Sequence, residues 1–454
     1  MRVSVWLRAG AVSPSLTSSK KTFCSAMDAL SKDAAGGVLD SSSLTRLSTF
    51  AGACESGRVE LGYGAADEDF RRELRSWLDV HLPAQVRDHD GLLYGSGGDD
   101  TGLPQWARDW QATLFDHGWL MPDWPEGLGG RDATPLQTLV YFEEMAKARA
   151  PRSLNFQGLN IVAPSLRDYG TEEQKARWLV PTLRGDVLWC IGMSEPDAGS
   201  DLGALATRAE LTEDGQSFVV NGQKIWTSSA HFADWCFVYV RTDPQAPKHK
   251  GISVLVVDMH NTPGVEPRPF PHLTGKVDFA EVFFTDALVP RENLVGELHD
   301  GWRVTMGSLA HERGGLWVQG IAHVETTLAS MIRVARATGR VDDPHFRRQV
   351  GWATAQVASL RALGYKGFAS LRASEGAPEH SLLKLASAEL GKTLSEMGVL
   401  LQEGWGPVTD RVRGHDGGEW PAHFFTTFAS TIAGGTSEIQ RNIIAERILG
   451  LPRG

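Results

Sequence analysis

The apolar positions of this chain change period twice. From Ala66 to about Gly185 they recur at helical spacing. Phe70, Leu74, Trp77 and Leu78 stand at i, i+4, i+7 and i+8 in a segment opened by Asp69-Phe70, which predicts an amphipathic helix. Leu136, Val140, Tyr141 and Met145 predict another. Trp178, Leu179 and Leu183 predict a third, introduced by a Thr171-Glu172-Glu173-Gln174 capping box. Trp124-Pro125-Glu126-Gly127-Leu128-Gly129-Gly130 reads as a loop between them. From about Val187 to Leu294 short β-rich runs replace the helical pattern. Phe218-Val219-Val220, Trp235 to Val240, Ile252 to Val257 and Val277 to Phe284 read as strands. Asp214-Gly215, Asn221-Gly222, Asp243-Pro244 and Thr262-Pro263-Gly264 read as turns, so this unit is a barrel or sandwich. From about Gly301 the chain is helical again. Met306, Leu309, Val318, Ile321, Val324, Leu328 and Met331 fall near one face, as in an antiparallel bundle. Residues 405–421 are rich in Gly, Asp and Pro and read as a loop.

Composition narrows the function classes. The 454 residues amount to roughly three domain-sized units. With 42% hydrophobic and 22% charged residues the chain can bury a large core. Its apolar runs, Val254 to Val257 among them, are far short of the ~20 residues of a membrane helix. A net charge of −10 argues against bulk attraction to nucleic acid or an anionic membrane. Cys24, Cys54, Cys190 and Cys236 form no C-x-x-C pair, so ordinary thiols in a reduced compartment are expected and no metal site. Residues 1–62 are rich in Ser, Ala and Gly without a sustained period. The first 27 carry Arg2, Arg8, Lys20 and Lys21 and no acid, weakly like a mitochondrial presequence. A disordered extension, or a start at Met27, is the plainer reading.

Three segments carry candidate chemistry. Gly192-Met193-Ser194-Glu195-Pro196-Asp197-Ala198-Gly199-Ser200-Asp201 lies where the first helical unit meets the β unit, a common place for a cleft. Asn221-Gly222-Gln223-Lys224-Ile225-Trp226-Thr227-Ser228-Ser229 reads as a hairpin turn and then a strand. Alone, Trp226 there reads as a core residue of a half-buried strand. In the tail, Gly434-Gly435-Thr436 leads into a helix with Ser437 as N-cap and Gln440 three residues on, an S-x-x-Q box. Such a helix start presents backbone N–H groups to an anion or a developing negative charge.

Together, in this order and with this spacing, these segments resemble the acyl-CoA dehydrogenase family from about Asp67 to Arg453. The tail Ile448-Leu449-Gly450-Leu451-Pro452-Arg453 completes the last motif. The resemblance implies a mainly α fold with a central β domain. It would have an N-terminal helical domain over 63–186, a middle β-barrel over 187–295 and a C-terminal four-helix bundle over 296–454. It implies FAD as cofactor. By motif position Met193 and Ser194 would reach the flavin edge and Trp226 would lie beside the isoalloxazine. Ser228 would donate near N5, and Thr436 and Glu438 would meet the adenosine end, in the family from a neighbouring subunit. Ser200 matches a position near the CoA moiety. The arginine and Gln-x-x-Gly-Gly segment that contact a neighbour's FAD pyrophosphate have no clean counterpart; Arg348-Gln349 and Gln402-Glu403-Gly404 fit only roughly.

The implied reaction is α,β-dehydrogenation of an acyl-CoA. A carboxylate removes the α-proton while hydride leaves the β-carbon. Most members carry that glutamate directly before G-T-S of the tail, where this chain has Gly434; only its backbone N–H remains to meet the thioester oxygen. A minority, resembling isovaleryl-CoA and long-chain dehydrogenases, place the base before an arginine on a bundle helix. Here that position reads Ala310-His311-Glu312-Arg313, which makes Glu312 the expected base. Counted from Met306 at ~100° per residue, Arg313 falls inside the apolar stripe and Glu312 off it, where a solvated charge is the plain alternative. A guanidinium on the buried side needs an anionic partner, so Arg313 is assigned to substrate and catalysis. Glu195 is assigned a structural role and His311 none. Expected partners are an acyl-CoA with a branched, long or polycyclic acyl group, an electron-transfer flavoprotein, and copies of the chain in a homotetramer or a second chain in a heterotetramer. The cytoplasm of a bacterium is expected, with the mitochondrial matrix as alternative. Two other functions stay open: a non-catalytic subunit of a heterotetramer, and an oxygen-using oxidase or monooxygenase.

Overall fold

The computed structural model describes residues 62–88, 102–311, 316–372, 379–402, 404, 406–409 and 415–452. The extension expected over 1–62 lies outside these, except for Gly62. So do Glu312, Arg313 and Arg453.

The first unit is helical. Helix α1 (Ala65–His81) opens four residues before the Asp69 read from sequence, because Gly64 N–H is met by the Asp67 carboxylate at 2.9 Å. It buries Phe70, Leu74 and Leu78, periodic positions, on the side that packs on α3 (Pro135–Lys147), and Phe70 meets the Trp119 ring just after α2 (Gln105–Asp116). A buried ion cluster joins α1 to α3. Arg71 donates to Glu143 at 3.0 Å and to Glu144 at 2.6 Å. Arg75 and Lys147 also meet Glu144. Tyr63 and Tyr365 both donate to Glu143 at 2.8 Å. Burial opposes the Glu144 charge, but hydrogen bonds from Arg75, Lys147 and Arg71 prevail and hold its pKa at about 2. A wide turn, Gly158–Val162, continues into α4 (Ala163–Tyr169). The expected Thr171–Gln174 box forms, and the helical stretch after it ends in α5 (Val180–Arg184) at Gly185, where φ is +79°.

The middle unit is one eight-stranded sheet: β1 (Trp189–Gly192), β2 (Arg208–Leu211), β3 (Ser217–Ser228), β4 (Trp235–Arg241), β5 (Ile252–Asp258), β6 (Val265–Phe270), β7 (Phe279–Pro290) and β8 (Leu294–Val295). The order is β6-β7-β3-β2-β4-β5-β8, with β1 parallel to β4. Phe218, Val238, Leu255, Val257 and Val282, from strands far apart in that order, share one core, so the sheet wraps around it. Asn221-Gly222 is not the turn read from sequence. It lies inside β3 opposite a bulge on β7, where the register slips: Val220 pairs with Ala287 but Gly222 with Phe284. Gly222 has φ +149°, and a Cβ there would fall 2.6 Å from Thr207 Cα. The Asn221 amide instead pairs with Asp286 on β7.

Helix α6 (Gly301–His311) follows the sheet. Its phase differs from the sequence reading. Met306 is 44% exposed, while Val304 and Thr305 are buried. The expected stripe joined two helices, and α6 packs on α4 and β5 while α7 (Leu316–Ala337) enters the bundle. With α7, α8 (Pro344–Arg372), α9 (Glu379–Leu400) and α10 (Trp420–Ser430) bury Ile321, Met331, Leu360, Leu394 and Trp420 in one core. The loop read over 405–421 therefore gives way to helix at Trp420. A last short helix, α11 (Ser437–Ile443), lies on α9. Among the described residues no helix is long and apolar enough to cross a membrane.

The Arg71 cluster should dominate the stability of the first unit. Arg71→Met leaves two buried carboxylates without their shared cation and should cost about 3–5 kcal/mol. The Glu144 contribution is complete above its unfolded pKa of ~4.3 and drains away as pH falls towards about 2. Thermal melts should therefore show a larger loss at pH 7 than at pH 3.

Candidate functional site

Strand β1 ends at Gly192, and the chain leaves the sheet through Met193 and Ser194. Two interactions hold this exit against β3. The Ile225 N–H donates to the Ser194 carbonyl at 2.9 Å. Lys224, wholly buried, donates to the Met193 carbonyl at 3.3 Å and to the Glu195 carboxylate at 2.8 Å. Glu195 also accepts the Ala206 N–H at 2.6 Å and the Thr207 N–H at 2.8 Å. Burial pushes the Lys224 pKa down and Glu195 pulls it up, leaving it at about 8. Burial opposes the Glu195 charge, but Lys224, Thr207 and Ala206 outweigh it and keep the carboxyl below its ordinary value. The expected structural role for Glu195 is thus its observed one. Sequence reading passed over Lys224, although a lysine in an apolar-alternating strand signals a buried partner.

A second register slip in β3, between Lys224 and Thr227, turns Trp226 outward. Simple alternation would put Lys224 and Trp226 on one face. Instead Lys224 is buried and the Trp226 ring is 56% exposed, so Trp226 is not the core residue its strand position suggests. Its φ of +58° is a strained setting for an aromatic residue. Phe270 and Phe279 meet the ring edge-on at 5.2 and 5.8 Å between centroids. Ser228 ends β3 opposite Phe279 and is half-buried. The structure therefore brings Met193, Ser194, Trp226 and Ser228 to one edge of the sheet. Ser200 is exposed farther along the same exit, beside the Asp201–Lys248 ion pair.

The tail forms a separate group. The N-cap of α11 is Thr436, not Ser437: Thr436 Oγ1 accepts the Ile439 N–H at 3.2 Å. Ser437 is drawn away by Glu389 on α9, to which it donates at 2.7 Å. Gln440 closes no box; its amide donates to the Gly434 carbonyl at 3.0 Å. Gly434 and Gly435 have φ of +66° and +89°, and Lys384 donates to the Gly435 carbonyl at 2.6 Å. A Cβ at Gly434 would meet nothing within 4 Å. Thr436 and Glu438 thus sit at a helix start held by α9. Among the described residues no hydrogen bond joins this group to Met193, Ser194, Trp226 or Ser228. Gln402, one of the rough pyrophosphate matches, is buried just after α9 and donates to the Gly398 carbonyl of that helix, while Arg348 is exposed.

An exposed aromatic ring on rigid, strained backbone, flanked by hydroxyls and a peptide exit, suits a planar ligand. Among the described residues no group of His, Cys, Asp and Glu could hold a metal ion.

Three family models match the chain in series. They are "acyl-CoA dehydrogenase, N-terminal domain" over residues 65–186, "acyl-CoA dehydrogenase, middle domain" over 190–287 and "acyl-CoA dehydrogenase, C-terminal domain" over 299–449. The chain is 39% identical over 390 residues to acyl-CoA dehydrogenase IpdE1 of Mycobacterium tuberculosis, covering 85% of this chain and 98% of the relative. To IpdE1 of Mycolicibacterium smegmatis it is 37% identical, with the same coverage. Among solved structures it is similar to the Tcur3481-Tcur3483 steroid ACAD, with a TM-score of 0.74 and 31% identity over 87% of this chain and 100% of that one. It is also similar to the ChsE4-ChsE5 complex from Mycobacterium tuberculosis, with a TM-score of 0.72, 31% identity and the same coverage.

The Glu195–Lys224 pair should behave as a unit. Glu195→Gln should destabilise the middle domain by about 3–5 kcal/mol by leaving a buried ammonium unpaired. The double variant Glu195→Gln/Lys224→Met should recover much of that loss. Urea unfolding of the two single variants and the double variant measures the coupling; additive losses would show that the pair does not act together.

Proposed function

The chain belongs to the acyl-CoA dehydrogenase family, and from that membership we propose that it dehydrogenates a bulky, polycyclic acyl-CoA with Glu312 as its base. The general activity, α,β-dehydrogenation of an acyl-CoA by an FAD-dependent oxidoreductase, follows from the family. The finer assignments are our reading. The observation that carries it is the outward Trp226 ring beside the Met193–Ser194 exit. That surface fits an isoalloxazine: Trp226 would lie against it, Met193 and Ser194 along its edge, and Ser228 near N5. Thr436 and Glu438 would meet the adenosine end of a neighbour's FAD. FAD, when bound, supplies the hydride acceptor.

The chain's own residues would manage the proton and the developing charge. Glu312 would accept the α-proton on its carboxylate, with its pKa raised as substrate expels water. The Gly434 N–H would donate to the thioester oxygen as charge builds there. The open space at Gly434 supports the vacated-base reading, since no neighbour demands a glycine for packing. Arg313 would supply the cation that anionic substrate groups need, and Ser200 would lie along the CoA moiety. A polycyclic acyl group is supported by the similarity to a protein described as a steroid ACAD.

Electrons would pass to an electron-transfer flavoprotein, and relatives from bacteria favour the cytoplasm. Assembly is supported by large apolar side chains left exposed on α10 and in the turns after the last helices, among them Phe425, Phe428, Ile432 and Leu449. The similarity to the ChsE4-ChsE5 complex supports assembly with a second, different chain, in which this chain would be the non-catalytic subunit on the second reading. A purified chain without bound flavin would support that second reading.

Anaerobic flavin bleaching by a panel of acyl-CoAs tests the proposal. Steroid-side-chain thioesters should bleach wild type, and Glu312→Gln should slow bleaching by at least about a thousandfold. Gly434→Glu in the Glu312→Gln background should restore part of the rate, at a cost of about 1–2 kcal/mol for a side chain at positive φ. Equal bleaching by Glu312→Gln would remove Glu312 as base, and turnover of only short straight-chain thioesters would remove the polycyclic substrate.

A further inference from the structure

A cavity of about 240 Å³ lies between the end of α3, the loop from Arg149 to Asn160, and one face of α7. Gln319, Ala322, His323 and Thr326 form that face at i, i+3, i+4 and i+7. Complete small-molecule sites run to ~300–1,000 Å³, so this volume suits one end of a ligand. Opposite α7 stands Arg152, only 7% exposed. Its guanidinium donates to Asn160 Oδ1 at 2.6 Å, approaches Met121 Sδ at 3.4 Å and lies 5.0 Å from the centre of the Phe142 ring. None of these is a carboxylate. Burial pushes its pKa down, opposed by Tyr141 and Asp123, neither of which bonds to it. A buried guanidinium has five N–H donors to satisfy and is costly without a counter-charge. Across the cavity the half-buried Gln319 amide makes no side-chain hydrogen bond among the described residues. Burial and the field of Arg149 lower the His323 pKa, so that ring adds no charge of its own at neutral pH.

The cavity is walled by the elements that lead to the proposed reaction centre. Asn155 in its loop donates to the Trp189 carbonyl at 2.8 Å and accepts the Trp189 N–H at 3.1 Å. Trp189 begins β1, four residues before Met193. On the other wall Gln319 follows Glu312 by seven residues.

We propose that this cavity receives the distal end of the acyl group, and that this end carries an oxygen acceptor, a carboxylate or ring ketone, which Arg152 and Gln319 bind. The inference rests on the acyl-CoA dehydrogenase reading above. The oxygen adds a further acceptor beside Asn160 Oδ1 for a guanidinium with no carboxylate partner, and the apolar lining of Met145, Ala150, Pro151 and Phe156 covers the ring.

The test compares cyclohexylbutanoyl-CoA with its ring-ketone and ring-carboxylate derivatives, by kcat/KM and by anaerobic flavin bleaching. Wild type should favour an oxygenated thioester by about a hundredfold or more, since a polar site rejects the analogue that leaves its donors unpaired. A larger preference for the carboxylate would identify an anionic acyl end, and one for the ketone a neutral end. Gln319→Leu, at a half-exposed position, should lower the preference several-fold, and Arg152→Met should abolish it. The ratio between thioesters is the readout, because a merely structural loss lowers all three alike. Equal kcat/KM for the three in wild type, or an unchanged ratio in Gln319→Leu, would overturn the proposal. Failure of every thioester to bleach the flavin would instead count against the dehydrogenase reading on which the proposal rests.

Discussion

The buried pair between Glu195 and Lys224 is the constraint on which the candidate site depends. An ammonium sealed inside an apolar sheet is tolerable only with a close counter-charge and satisfied hydrogens. Glu195 provides the charge, and the Met193 carbonyl accepts a further hydrogen bond from the ammonium. The chain folds back after β1 so that Thr207 directs its N–H at the oxygen Lys224 also meets and Ala206 directs its own at the other. Exit loop and strand are thus locked by one interaction whose parts cannot move separately. The exposed edge carrying Met193, Ser194, Trp226 and Ser228 is a consequence of that lock.

The same lock accounts for the irregularity of β3. A strand of strict period two cannot bury both Phe218 and Thr227 while also burying Lys224 and exposing Trp226. Of the two register slips, the first, at Gly222, puts its extra residue in β7 and keeps the β3 alternation, and the second, between Lys224 and Thr227, puts it in β3 and resets it. The first needs glycine because Thr207 presses against that position. The second puts Trp226 at positive φ, a cost that persists because Phe270, Phe279 and the Ser194–Ile225 bond over-determine its place.

Regular periodicity was legible in the sequence wherever one face of an element meets one core. Phe70, Leu74 and Leu78, and the strands through Val238 and Leu255, lie where their spacing puts them. The misreadings arose where a local signal competes with a distant partner. Asn221-Gly222 has the composition of a turn, but Asp286 across the sheet captures the asparagine. Ser437 is as good a cap as Thr436 by residue type, and only Glu389 decides between them. Met306 shares a seven-fold pattern with α7, but α6 turns its other face to α4 and β5, which no single-chain pattern encodes. The three motifs were legible as a set because each has a rare residue combination. Their assembly was not, because the tail is positioned by Lys384 and Glu389, far from the other two segments in sequence.

On the proposed reading, this separation would let the site do without a carboxylate at Gly434 and still keep its frame. The tail backbone is fixed by α9 through the Gly435 carbonyl and the Ser437 hydroxyl, neither of which involves a side chain at Gly434. A carboxylate at that position would be an addition to the frame and not part of it. The space in front of Gly434 is open, so its glycine relieves positive φ and does not relieve crowding. Proton abstraction needs a carboxylate at the right place, but it does not specify the chain segment that delivers it. A helix adjoining the sheet can deliver one as well as the tail can. The Gly434 N–H proposed for the thioester oxygen would have no such substitute, because it comes from the turn itself, and the turn is what α9 holds.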